Sequence, residues 1–242
     1  MVQIGFKCDR GVSRSNNEDA CFVIPKDDVY VVADGVGGNN SGEVASRTAV
    51  SEIALKVNDT DMKKLKKPDD IFNFFDEAIK TVNDKIYTMG RESKELRGMA
   101  TTLVAAYVRK GDLYLANVGD SRAYLLRHNV MKQITKDHTY VNELVEKGVI
   151  TPEEAETHSQ RNVITRALGA EPNVQADFYQ FKIFKDDIIL LCSDGLYGEV
   201  PIEDMTEILE ADKPMSEVCQ DLVDKACKMG GRDNITVVCL KI

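Results

Sequence analysis

Apolar positions along the chain fall into two periods. Residues 29–33 (VYVVA) are apolar throughout, mostly β-branched or aromatic, and stop at Asp34-Gly35-Val36-Gly37-Gly38. Such a run predicts a buried strand. Residues 188–192 (IILLC) repeat the pattern and stop at Ser193-Asp194-Gly195, and residues 113–118 are a looser version that stops at Gly119-Asp120. Further strands are predicted at 2–8, 21–24, 101–108, 122–127, 130–134, 174–184 and 235–240, with a hairpin-like turn at 25–28. The four strands between 101 and 134, separated by short turns, predict an antiparallel meander. Helical spacing takes over at 41–57, where Val44, Ala45, Ala49, Ile53 and Ala54 share a face. It returns at 71–87 behind Pro68-Asp69-Asp70, a helix start. Two short helices are predicted at 140–147 and 151–157, the second opened by Thr151, Pro152 and Glu154, and two more at 202–210 and 215–229. Strands and helices are grouped rather than strictly alternating. The expected class is α+β, antiparallel sheets with helices packed outside them.

The 242 residues suffice for one domain with a full core, taken as 1–242 with an excursion at 138–166. Thirty-one Lys and Arg against 40 Asp and Glu leave a formal charge of -9. That balance argues against a nucleic-acid surface. No apolar run approaches the ~20 residues of a membrane helix, and the start, MVQIGFKCDR, lacks a signal-peptide design. The six cysteines form no CxxC pair and read as reduced core thiols of a cytoplasmic protein, not as zinc ligands. Nothing in the sequence demands a dimer, and a monomer is expected.

Any one strand-end aspartate is an ordinary turn residue. The set is less ordinary: Glu18, Asp19, Asp34, Asp120, Asp194 and Asp233 all fall at strand ends or in adjoining loops, beside Gly, Ser or Asn. Three buried strands that each deliver an aspartate point to one shared acidic site. Without a cation such a cluster repels itself and raises its own pKa values. Hard oxygen donors with no His or Cys cluster indicate Mg²⁺ or Mn²⁺.

Five stretches, in order along the chain, carry a resemblance. They are Arg14-Ser15-Asn16-Asn17-Glu18-Asp19, Asp34-Gly35-Val36-Gly37-Gly38, Gly119-Asp120-Ser121-Arg122, Ser193-Asp194-Gly195-Leu196 and Arg232-Asp233-Asn234-Ile235-Thr236. With them the chain resembles the metal-dependent protein phosphatase family, also called protein phosphatase 2C, in its compact bacterial form. The resemblance implies a four-layer α-β-β-α sandwich with two central antiparallel sheets. It implies that Asp34 bridges two ions, that Asp194 and Asp233 complete the first, and that the second takes the Gly35 carbonyl, with Glu18 reaching it through water. Asp120, with Asp194, would hold a looser third ion, and Asp19 would support the bound waters. The excursion, with Asp137-His138, Asn142-Glu143-Leu144, Thr151-Pro152-Glu153-Glu154-Ala155 and Arg161-Asn162, looks like the family's flap.

The expected reaction is hydrolysis of phosphoserine and phosphothreonine. Two ions ~3.5–4 Å apart hold a bridging water and bring its pKa toward neutrality, so that a hydroxide attacks phosphorus. Arg14 is the candidate phosphate clamp, because its planar fork matches two oxygens at once. Eukaryotic relatives place a histidine after the first Asp-Gly; here Val36 stands there and cannot donate a proton. The expected partners are phosphorylated proteins, including a Hanks-type serine/threonine kinase that the enzyme opposes. A catalytically inactive, phosphoprotein-binding relative is the alternative, and a nuclease or phosphodiesterase is disfavoured by the charge.

Overall fold

The computed structural model describes residues 2–38 and 41–242. Along the chain the elements are β1 Gln3–Asp9, β2 Asp19–Ile24, β3 Val29–Val36, α1 Ser41–Asn58, α2 Pro68–Glu92, β4 Ala100–Thr101, β5 Leu103–Arg109, β6 Asp112–Val118, β7 Arg122–Arg127, β8 Val130–Gln133, α3 Tyr140–Glu146, α4 Pro152–Thr157, β9 Asp177–Lys182, β10 Ile188–Cys192, α5 Asp194–Tyr197, α6 Ile202–Leu209, α7 Met215–Met229 and β11 Ile235–Lys241. The strands form two antiparallel sheets. One is ordered β1-β11-β10-β7-β8; the other is β2-β3-β5-β6-β9, with β4 added beside β3.

Alternation along the strands sorts their side chains into three apolar layers. On β3, Val29, Val31 and Ala33 pack with Ile53, Phe75 and Ile79 of α1 and α2, whereas Tyr30 and Val32 face the other sheet. On β10 and β11, Leu190, Val237 and Cys239 pack with Met205, Val218 and Leu222 of α6 and α7, whereas Leu191, Val238 and Leu240 face inward. Both faces are buried, which is why these runs read as continuously apolar. Helix, sheet, sheet and helix stack in the expected four layers.

At one end the layer between the sheets turns polar. Asp34, Asp19, Asn117, Ser193 and Thr236 continue the inward phase of their strands. They bond across the gap: Ser193 Oγ donates to Asp19 Oδ2 (2.6 Å) and accepts from Thr236 N (3.0 Å). Thr102 and Ser121 share a hydroxyl hydrogen bond of 2.7 Å, and Asn117 Nδ2 donates to Lys136 O (3.0 Å). A buried polar group without a partner costs about 1–3 kcal/mol, so these pairs fix how the two sheets meet.

The meander expected over 101–134 is cut in two. β5 pairs with β6 and β7 with β8, but β6 turns to β9 and β7 to β10. The cut falls at Gly119-Asp120-Ser121. Gly119 has φ +99°, and a Cβ there would lie 2.6 Å from Thr102 Cγ2. Glycine alone tolerates both conditions, and the chain crosses there from one sheet to the other with Asp120 in the crossing. The strand expected from 174 begins at Asp177, because Val174 packs from a loop against the α2 side.

The excursion holds α3 and α4. Thr139 Oγ1 accepts from Asn142 N (3.3 Å) to cap α3, and Thr151 and Glu154 form the expected reciprocal box on α4. α3 buries only Val141 and α4 buries nothing. All six cysteines are free, with Cys192, Cys219 and Cys239 buried. Among the described residues, no helix is long and apolar enough to cross a membrane.

Candidate active site

Asp34 lies on the inward face of β3, and its register partner on β2 is Asp19. Its peptide is held firmly. Asp34 N donates to Thr102 Oγ1 (2.9 Å), and Asp34 O accepts from Thr102 N (2.8 Å) and Thr101 Oγ1 (2.9 Å). Asp194 opens α5, and its charge acts on the Asp34 carboxyl. Burial, then the charges of Asp19, Asp194, Asp120 and Asp233, push the Asp34 carboxyl well above the usual carboxylate range. Burial and then Asp233 raise Asp194 as well. Burial pushes Asp19 up to about 7 against the opposing hydroxyl of Ser193. Burial, followed by Asp194 and Asp137, pushes Asp120 up to about 7. Strand ends far apart in sequence thus share one acidic field.

Glu18 joins this field through close backbone packing. Gly35 N donates to Glu18 O (3.1 Å). A Cβ on Gly35 would lie 2.1 Å from Gly42 O, and one on Gly42 would lie 3.0 Å from Glu18 Cδ. The first turn of α1 can approach the Asp34-Gly35 turn only because both positions are glycine.

Asn234, nearly fully buried, fastens the remaining pieces. Its Oδ1 accepts from Glu18 N (2.8 Å), and its Nδ2 donates to Arg10 O and Asn16 O (both 2.9 Å). Its own N–H donates to Asp233 Oδ1 (2.8 Å). Its carbonyl lies where a Cβ on Gly195 would be only 2.0 Å away. One side chain therefore ties the loop that carries Arg14 and Glu18 to Asp233 and to α5. From that loop, Arg14 Nη2 reaches Asp233 Oδ2 at 2.7 Å, with both side chains solvent-accessible.

Among the described residues, no three Asp, Glu, His or Cys side chains close on one point as a coordination shell does. One neighbour relieves part of the charge: Arg14 pairs with Asp233. One atom is left over. Asp19 Oδ1 is buried without a partner. Hard oxygen donors, mutual repulsion and an orphaned carboxylate oxygen fit a divalent cation of the Mg²⁺ or Mn²⁺ class.

A cleft of ≈ 790 Å³ runs from Asp120, Asp194 and Asp233 to the flap residues Val141, Asn142 and Arg161. His138 stands at the foot of the flap but is not a free proton donor for this cleft. Its Nδ1 accepts from Gly119 N (3.1 Å), and its Nε2 lies 3.3 Å from Asp177 Oδ2. His158 packs near the Tyr140 ring, and His128 is exposed in the β7–β8 turn.

Positional reasoning on the sequence missed the residues that hold the acids in place: Thr102, Ser193, Asn234 and Tyr197, whose Oη donates to Asp120 O. Asn234 and Ser193 fall within the quoted stretches, so a signal existed. Their bonding partners could not be read from the stretches themselves.

An acidic floor between two antiparallel sheets, with helices on both outer faces and a helical flap over a cleft, defines a metallophosphatase architecture. Residues 11–236 match the protein phosphatase 2C family model, and the chain belongs to this family. The serine/threonine phosphatase stp of Listeria innocua is 40% identical over 236 residues, covering 96% of this chain and 93% of that protein. The S. agalactiae serine/threonine phosphatase superposes with a TM-score of 0.94 at 33% identity over 100% of both chains. The catalytic domain of the phosphatase PstP, solved in complex with 2 manganese ions, superposes with a TM-score of 0.86 at 35% identity, covering 99% of this chain and 97% of that one.

Proposed function

We propose that this protein is a Mn²⁺- or Mg²⁺-dependent phosphatase of phosphoserine and phosphothreonine in proteins. The observation that carries the reading is the acidic floor: Asp120, Asp194 and Asp233 line one end of the cleft, and their charges, after burial and Asp19, raise the Asp34 carboxyl. Asp34, Asp194 and Asp233 would hold one ion. Asp34, the Gly35 carbonyl and Glu18 would hold a second, and Asp120 with Asp194 a third. When bound, such ions lower the pKa of water and balance charge on a phosphoryl group. Manganese in the related PstP structure supports this assignment.

The chain's own residues do the rest. Asn234 keeps the Arg14 loop against Asp233, so the Arg14 fork stands at the cleft rim to take two phosphoryl oxygens. Ser193 holds Asp19 beside the floor and is itself held by Thr236 N. Val36 has no proton to give, so the leaving alkoxide takes its proton from water or from another group. The substrates are phosphorylated cytoplasmic proteins, among them a serine/threonine kinase that this enzyme opposes, and the protein acts as a monomer.

Phosphate release from a phosphothreonine peptide tests the reading. Turnover is expected with Mn²⁺ and should vanish with chelator or in Asp34→Asn. Arg14→Ala should raise KM and leave Mn²⁺ binding, followed by calorimetry, unchanged. Turnover that survives chelation would overturn the metal mechanism. Equal loss of peptide and Mn²⁺ binding in Arg14→Ala would overturn the clamp.

A further inference from the structure

The flap has few holds on the sandwich. α4 buries nothing and α3 only Val141. A segment with so few buried contacts opens easily unless its base is fixed. The stem is closed by the Thr139–Ile164 bridge and by Tyr140 N donating to Val163 O (2.8 Å). At the base of the stem, Asp137 is held on several sides. Its carboxylate receives Arg122 Nε (3.1 and 3.0 Å), Arg122 Nη2 (2.7 Å) and Gln133 Nε2 (2.7 Å). Its carbonyl accepts from Asn142 Nδ2 on α3 (2.8 Å).

Arg122 is fixed in turn from several sides. It begins β7, its Nη1 donates to Tyr124 Oη (2.9 Å), and its guanidinium lies 3.5 Å over the Tyr197 ring. Tyr197 Oη donates to Asp120 O (2.9 Å). The ion pair is largely enclosed, with 24% and 14% of the two side chains exposed. A buried ion pair is weak evidence for stability, since its attraction scarcely exceeds the cost of desolvation. What a forked, stacked and multiply bonded pair supplies is orientation.

We propose that Asp137, gripped by Arg122, is a positioning residue that sets how the flap leaves the sandwich, and thereby the preference of the active site for phosphorylated peptides over small phosphate monoesters. The inference rests on the function proposed above. Both Asp137 carboxylate oxygens are already bonded within the protein, so the residue acts through α3 and not on the substrate. A small ester needs only the acidic floor and Arg14. A peptide must also lie along the cleft wall, where Val141, Val145 and Arg161 of the flap stand.

The test compares wild type, Asp137→Asn, Asn142→Ala and the double variant, all with Mn²⁺. Asn142→Ala cuts the link to α3 and leaves the ion pair intact, so it carries the test if Asp137→Asn folds poorly. Each single variant should lower kcat/KM for a phosphothreonine peptide roughly tenfold, mainly through KM, the size expected of a misplaced binding wall. Activity on p-nitrophenyl phosphate should stay within about twofold. The double variant should lose little more than the worse single, because both residues act through one link. Hydrogen exchange should speed up over 140–157 and not in β7 or β10. Equal losses on both substrates, additive losses, or faster flap exchange with undiminished peptide activity would overturn the proposal. If wild type hydrolyses neither substrate, the proposed function fails instead, and the exchange measurement still decides whether Asp137 holds the flap.

Discussion

Replacing Gly195 by alanine adds a carbon 2.0 Å from Asn234 O and 2.9 Å from Asn234 C. A relaxed carbon–oxygen contact is about 3.3 Å, so α5 and the start of β11 must part by about 1.3 Å. Neither side yields cheaply. Both clashing atoms are backbone, Leu196 beside the glycine is fully buried, and Asn234 is bonded on three sides. Overpacking of this kind costs about 1–3 kcal/mol, or a fall in Tm of about 2–12 °C for a chain of this size. The functional loss should be larger. Asp194 and Asp233 each sit one residue before the clash, and a misplacement of about 1 Å in a catalytic constellation costs about 10²-fold. Gly195→Ala should therefore lower kcat/KM on a phosphothreonine peptide about 100-fold and raise the Mn²⁺ concentration for half-activation. The measurements are a Mn²⁺ titration of initial rates and a thermal melt, with rates taken well below the variant's own Tm. A variant with lowered Tm but unaltered Mn²⁺ requirement and kcat/KM would show that this contact does not set the spacing of the two aspartates.

Two further outcomes follow from the same charges. Asp34→Asn removes one of several mutually repelling carboxyls, so in chelator its Tm at pH 8 should exceed that of wild type, while the rise in Tm on adding Mn²⁺ shrinks; a lower Tm in chelator contradicts this. His138 is held neutral, its pKa pushed below the ordinary value of 6.5 by burial and then by Arg166 against the opposing pull of Asp177. The unfolded chain takes up that proton at about 6.5, so this contribution to stability is complete above about 6.5 and declines as pH falls toward the folded pKa. Melts from pH 8 to 5 should give His138→Asn a shallower acid limb than wild type, and parallel curves would contradict the assignment.

Much of this architecture is written locally. Asp34 does not end its strand, since β3 runs on to Val36 with Gly35 and Val36 paired to β4, but the apolar runs at 29–33 and 188–192 are legible because their residues are neighbours in sequence. Helix α4 is legible for the same reason, since Thr151 and Glu154 cap each other within one turn. Sheet membership is not. Residues 113–118 and 122–127 look like adjacent rungs, but the chain crosses at Gly119, where φ is +99° and Thr102 leaves no room for a Cβ, and the second strand pairs in the other sheet. The supports of the acidic floor are invisible for a related reason. Thr102 holds Asp34 across 68 positions and Asn234 holds Asn16 across 218, and no period relates residues so far apart. One-turn α5 is too short to leave any period at all.

The flap departs and returns at adjacent points. His138 is bonded to Gly119 at its start, Leu168 is bonded to Thr101 at its end, and Gly119 rests on Thr102. An appendage moored so compactly can be lengthened, shortened or exchanged without redrawing either sheet. Variation in length and sequence can therefore accumulate in this one module while the acidic floor beneath keeps its geometry.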